Sequence, residues 1–152
     1  MGGYGSAGGG LWILSPGIKD IQDPAYQSDA YVKWLREAMQ AKGINPDSSV
    51  YLGSGTNWGF PVTQALAIAG QLDGGVTRSN LILALRSIDM TNPMLLGGLR
   101  VGMNGNADAY VLEGSDISRW STKDQTWVQD SVVSLDGQTP NCAWDLSTSR
   151  CR

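Results

Sequence analysis

The residues able to do chemistry fall into a few small groups. Gly3-Tyr4-Gly5-Ser6-Ala7-Gly8 spells G-x-G-x-x-G, which holds a pyrophosphate when a strand feeds it and a helix leaves it. Here it leads into an apolar, strand-like run at residues 11–14. The helix N-terminus that would supply N–H groups is missing, so residues 1–10 read as a flexible glycine-rich leader. Leu52-Gly53-Ser54-Gly55-Thr56 sets a serine among glycines, but G-x-S-x-G does not fit. Small residues ahead of a helix would leave backbone N–H groups open to a carboxylate or other anion. An ordinary loop-to-helix turn has the same composition.

The chain holds no histidine. That removes Ser-His-Asp and Cys-His nucleophile pairs and the commonest metal ligand. Lysine, aspartate, glutamate and tyrosine remain, so enzymes become less expected but are not excluded. Cys142 and Cys151 lie in a polar segment with eight residues between them. They suit a small disulfide loop outside the cytoplasm and two idle thiols inside it. Without histidine they make a poor zinc site. Asp20, Asp23, Asp29, Asp108 and Asp116 lack the spacing of a calcium loop and read as caps and solvated surface. No metal or cofactor is expected. Among six tryptophans, Trp12 and Trp34 sit in apolar patterns that suggest core. Trp58, beside Gly59, is the one placed to line a cleft, with simple packing as the alternative.

These groups must be positioned by one domain's worth of chain. At 152 residues, 41% hydrophobic and 16% charged, the sequence suits a globular protein. A net charge of −3 with no Lys/Arg cluster makes nucleic acid a poor partner. No apolar run approaches the ~20 residues of a membrane span, and the first ten residues lack the features of a signal peptide.

A strand is expected at residues 11–14, apolar enough to be buried on both faces. Asp23-Pro24 predicts a helix N-terminus, with apolar residues at helical spacing over 25–42. Gly43 and Asn45-Pro46-Asp47 end it. A second helix is expected over 57–69, with Pro61 in its first turn and Gly70 at its end. Thr77 caps a third over 78–88. Residues 99–103 and 109–117 look extended, with Asn104-Gly105 as a turn. Trp120 and Trp127 flank a polar turn and are placed to face each other across a hairpin. Residues 135–152 read as a polar tail.

The order of these pieces resembles a known family. Leu11-Trp12 running into Ser15-Pro16, then Asp23-Pro24 and an amphipathic helix, is the first part. Ala65 to Asp89, with Val76-Thr77-Arg78-Ser79-Asn80-Leu81 leading into Ala84-Leu85-Arg86-Ser87, is the most specific. Pro93 with Leu95-Leu96-Gly97-Gly98, and the closing Arg119-Trp120 and Thr126-Trp127-Val128, complete it. Over roughly residues 9–130 the chain resembles the C-terminal part of the class I, branched-chain amino acid type solute-binding proteins of ABC importers. The glycine leader, the tail and the paired cysteines fall outside the likeness.

The resemblance implies an α/β chain with a partial periplasmic-binding-protein type I fold: pieces of two Rossmann-like lobes, ending in an antiparallel hairpin. Residues 11–134 would be the C-terminal portion of such a protein, with the remainder upstream. The chain would cross between lobes near residues 15–18 and return near 104–108, with Gly17 and Gly105 as hinge glycines. Tyr51, Gly53 and Ser54 would face the ligand cleft, with Ser15 and Lys19 near the first crossing. The implied function is extracytoplasmic binding, periplasmic or at the cell surface, of a small polar solute such as an amino acid. The implied partner is an ABC-transporter permease, and no catalysis is expected. A sensing receptor ectodomain of the same fold is the first alternative. A small α/β enzyme would need a pocket converging on Lys19 or Asp20. A secreted interaction module, or a homodimer, would bury residues 11–14 against another chain.

Overall fold

The computed structural model describes residues 5–105, 107–138, 144–145, 147–148 and 150–151. The chain is mixed α/β. A 3-10 turn at Gly5–Gly8 precedes β1 (Trp12–Ser15), and a second, Pro24–Tyr26, precedes the helices α1 (Ala30–Ala41), α2 (Tyr51–Gln71) and α3 (Arg78–Arg86). Two-residue strands β2 (Asp89–Met90) and β3 (Val101–Gly102) pair with each other. The hairpin β4 (Gly114–Ser121) and β5 (Thr126–Ser134) follows. Within the expected tail, β6 (Trp144–Asp145) pairs antiparallel with β7 (Arg150–Cys151). Cys142 lies outside the described residues, and its pairing with Cys151 with it.

The main sheet has the order β1-β4-β5 and is antiparallel throughout. Trp120 and Trp127 are direct cross-strand partners, edge to face with ring centroids 5.4 Å apart. Asp124 closes the hairpin: its N–H donates to Ser121 Oγ at 3.1 Å, and its carboxylate accepts from that hydroxyl at 2.8 Å. Ile117 pairs with Ser131 but Ser118 pairs with Gln129, which leaves Asp130 as an extra, bulged residue on β5.

The expected buried strand at 11–14 is instead an edge. Among the described residues β1 has one neighbour, β4, and its side chains stay open, with Trp12 54% and Leu14 69% exposed. An apolar run marks a strand without fixing how many neighbours it has. Trp34 and Trp58, also mostly exposed at 56% and 52%, project from α1 and α2. Trp34 stacks at a tilt on Tyr31, with centroids 5.3 Å apart, and Tyr31 meets the edge of Phe60 from α2.

The helix expected over 25–42 is split. Asp23 caps only the Pro24–Tyr26 turn, and the true cap of α1 is Asp29, whose Oδ1 accepts from the N–H groups of Tyr31 and Val32, each at 3.0 Å. Val32 and Leu35 then reach Ile21 and Met94 in one buried cluster. Arg36 fixes the following loop, forking onto both Asp47 oxygens at 2.8 and 3.0 Å.

α2 begins at Tyr51, six residues before the expected Asn57, so Pro61 falls in mid-helix and not in the first turn. A proline there removes the N–H that would reach the carbonyl of residue 57. Asn92 supplies the missing donor: its Nδ2 reaches the Asn57 carbonyl at 2.8 Å and Asn57 Oδ1 at 3.1 Å. Further along, Ala65 and Ala69 meet Ala84 of α3, the small side chains allowing close approach. Thr77 caps α3 as expected, accepting from Asn80 N at 3.1 Å. α3 stops at Arg86, leaving Ile88 free to join Leu95, Leu96, Leu99 and Val101 in the third buried cluster. The extended segment expected over 109–117 settles as β4 starting at Gly114.

Candidate functional site

The sheet and the helical part meet where the chain leaves β1 and where it returns to β4. Ser15 pairs with Asp116, so the two passages lie side by side. Asp116 ties them. Its Oδ1 accepts a short hydrogen bond from Ser15 Oγ and one from Gly17 N at 3.0 Å, and its Oδ2 accepts from Ser118 Oγ at 2.8 Å. Ser118 shares a face with Asp116 because strand side chains alternate. The carboxylate is 7% exposed and bonded to neutral donors, which satisfy its lone pairs without cancelling its charge.

Leu99 is wedged into this junction. A Cβ built on Gly17 would stand 2.1 Å from Leu99 Cδ1, and one on Gly114 would stand 2.2 Å from Cδ2. Gly17 also holds a φ of +67°, a left-handed conformation that favours glycine. Beyond it, residues 17–19 run against 94–96: Lys19 N donates to Met94 O at 2.8 Å and Leu96 N to Gly17 O at 2.9 Å.

Residues 16–26 then bend over the inner face of the sheet as a strap, enclosing a groove of about 270 Å³. Its sheet side carries Ser15, Asp116, Ser118 and Gln129, with Trp127 packed on the buried Trp120. Its strap side carries Asp20, Asp23 and Tyr26. The phenol of Tyr26 is 3.4 Å from Gln129 Oε1, to which it donates across the mouth. Burial raises the Tyr26 pKa above the ordinary tyrosine value, and Asp23, Asp116 and Asp20 push it further in the same direction. The groove therefore combines aromatic walls with a negative field, and none of its lining residues is a lysine or arginine.

The residues singled out from sequence do not converge on one place. Ser15 lines the groove; Lys19 does not. Its ammonium donates to Asp29 Oδ2 at 2.7 Å and to Pro93 O at 2.8 Å, bracing α1. That hydrogen bond, followed by the one from Val32 N, holds the Asp29 pKa below its usual value. Tyr51, Gly53 and Ser54 stand in the first turn of α2 and not in a loop before a helix. Tyr51 is exposed, while Gly53 is buried with its Cα against Ile21 and Met94, where a Cβ would come within 3.3 Å of Ile21 Cγ2. With residues 53–56 inside a helix, most of their N–H groups are no longer open to an anion. Gly105 lies on the helical side of the junction, its N–H donating to Arg86 O at 2.7 Å, and the return to the sheet comes later, at Gly114.

Asp116, Asp20 and Tyr26 were not legible as a site from their spacing. One signal was present: in Ser115-Asp116-Ile117-Ser118-Arg119-Trp120 the alternation sets an aspartate and a serine on the same face as a tryptophan that must be covered. Among the described residues, no group of acidic or cysteine side chains is arranged to hold a metal ion, and no helix is long and apolar enough to cross a membrane. Comparison with protein-family models, with curated protein sequences and with solved structures finds no match to this chain.

Proposed function

We propose that the chain is the C-terminal portion of an extracytoplasmic solute-binding protein, of the class I branched-chain amino acid type. It would take up a small polar solute, an amino acid or similar, for delivery to an ABC-importer permease. The observation that carries this reading is the junction. The chain passes from the sheet to a helical part and back through two neighbouring segments joined at Asp116 and Gly17. Two adjacent passages tied at one point allow two bodies to turn about that point, which is how a cleft closes on a solute. The sequence order from Leu11 to Val128 supports the same reading. In it, the parallel strands of a Rossmann-like lobe lie upstream and dock on the open edge of β1, and closure on solute favours the form the importer reads. The other cover for that edge is a second copy of the chain, giving a homodimer.

A thermal melt against a panel of amino acids and small amides tests the proposal. A solute at 100 times its dissociation constant adds about 2.7 kcal/mol, which raises the midpoint by roughly 5–10 °C for a chain of this length. If no solute moves the melt, either of this chain or of one extended by its natural upstream sequence, the reading is wrong.

A further inference from the structure

Resting on that solute-binding reading, we propose that the groove between the strap and the sheet takes a small organic cation, an alkylammonium group. Three carboxylates, Asp20, Asp23 and Asp116, border one space with no cationic side chain among its lining residues. The nearest lysine in sequence, Lys19, is committed to Asp29. A partly enclosed space lined by charges of one sign focuses their field and draws in a counter-ion, here a cation. An anion would meet the same field as repulsion.

Two further features select an organic cation over a metal ion. The carboxylates do not come together in a metal-holding group. Tyr26 and Trp127 line the same groove, and aromatic rings attract a bulky, weakly hydrated ammonium. The volume of about 270 Å³ suits a ligand of few heavy atoms. Gln129, whose Oε1 accepts from Tyr26, leaves its amide N–H groups for an oxygen on the same molecule.

The test is titration of tryptophan fluorescence with choline, and separately with 3,3-dimethyl-1-butanol, its uncharged isostere, at fixed ionic strength. Choline is expected to saturate the signal, with the alcohol at least about tenfold weaker, the equivalent of ~1.4 kcal/mol. Asp20→Asn keeps the oxygen that accepts from Gln22 N and is expected to weaken choline by about threefold or more. Gln129→Glu adds a fourth carboxylate beside Tyr26 and is expected to tighten it. Equal binding of choline and the alcohol, or no saturable response to choline, would overturn the proposal. So would Asp20→Asn and Gln129→Glu leaving choline affinity unchanged. The two readings fail separately. If an amino acid raises the melting midpoint while choline has no effect, the cation site falls and the solute-binding reading stands. If choline binds while the amino acid panel is inert, the cation site stands and the amino-acid reading falls.

Discussion

The side-chain amide of Asn92 donates to the backbone carbonyl of Asn57 at 2.8 Å, replacing the hydrogen bond that Pro61 takes out of α2. The same side chain accepts from Met94 N at 3.0 Å, so one buried residue mends a helix and anchors the segment carrying Met94. Asn92→Ala leaves buried polar groups unpaired and is expected to cost roughly 2–3 kcal/mol, read by chemical denaturation. In a Pro61→Ala background the restored N–H at position 61 supplies the Asn57 carbonyl. There Asn92→Ala should cost about 1 kcal/mol less, a coupling that a double-mutant cycle measures.

Leu99 cannot turn away from a methyl group on Gly17 without meeting Gly114, because each glycine faces one of its Cδ atoms. Gly17→Ala should therefore destabilise the chain by about 2 kcal/mol or more, combining left-handed strain with a collision in the core. Gly43 offers a control. Its φ of +73° is similar, but a Cβ there meets nothing within 4 Å. Gly43→Ala is expected to cost only about 1 kcal/mol. Equal losses in the two variants would show that Leu99 yields freely.

The lowered pKa of Asp29 has a defined pH consequence. Its carboxylate is stabilised in the folded state by Lys19 and the first N–H groups of α1. A depressed folded pKa contributes stability above the unfolded value of about 3.9 and loses it as the pH falls from there through the folded value. Asp29→Asn keeps an acceptor for the N–H groups but not the charge. It is expected to lower stability by roughly 0.5–1 kcal/mol at neutral pH. That difference from the parent chain should shrink as the pH drops below about 4, as denaturation curves over a pH series would record.

The open edge of β1 invites a second chain. Leu14, 69% exposed, touches little that a charge would disturb. Leu14→Lys is expected to reduce self-association in sedimentation velocity while leaving the melting midpoint, read at concentrations where the parent chain is monomeric, within about 2 °C, since surface changes are usually within ±0.5 kcal/mol. Unchanged association in this variant would place any homodimer contact elsewhere.

The parts of the fold that sequence revealed were those whose signals are local. The Trp120–Trp127 pair follows from a short polar turn between alternating residues, and the α3 cap from Thr77 and its own neighbours. α2 starts earlier than its local sequence suggests because Gly53, Ser54 and Gly55 have low helix propensity and read as a turn. In the folded chain Gly53 is small so that the helix can lie on Ile21 and Met94, a reason found only in residues distant in sequence. Asp116 looked like a surface cap for a similar reason. Two of its three donors, Ser15 Oγ and Gly17 N, are about a hundred positions away.

Proline follows β1 at once, and the strand is only four residues long. Pro16 has no N–H, so a chain added along this edge finds no donor at that point and the ladder halts there. The opposite edge of the sheet, β5, is interrupted by the extra residue Asp130, which places a negative charge and a local twist where a flat strand would dock. A copy stacking β1 onto the β5 of another thus meets a halted ladder on one side and a bulge on the other, which disfavours growth of the sheet into a fibre from its first contact.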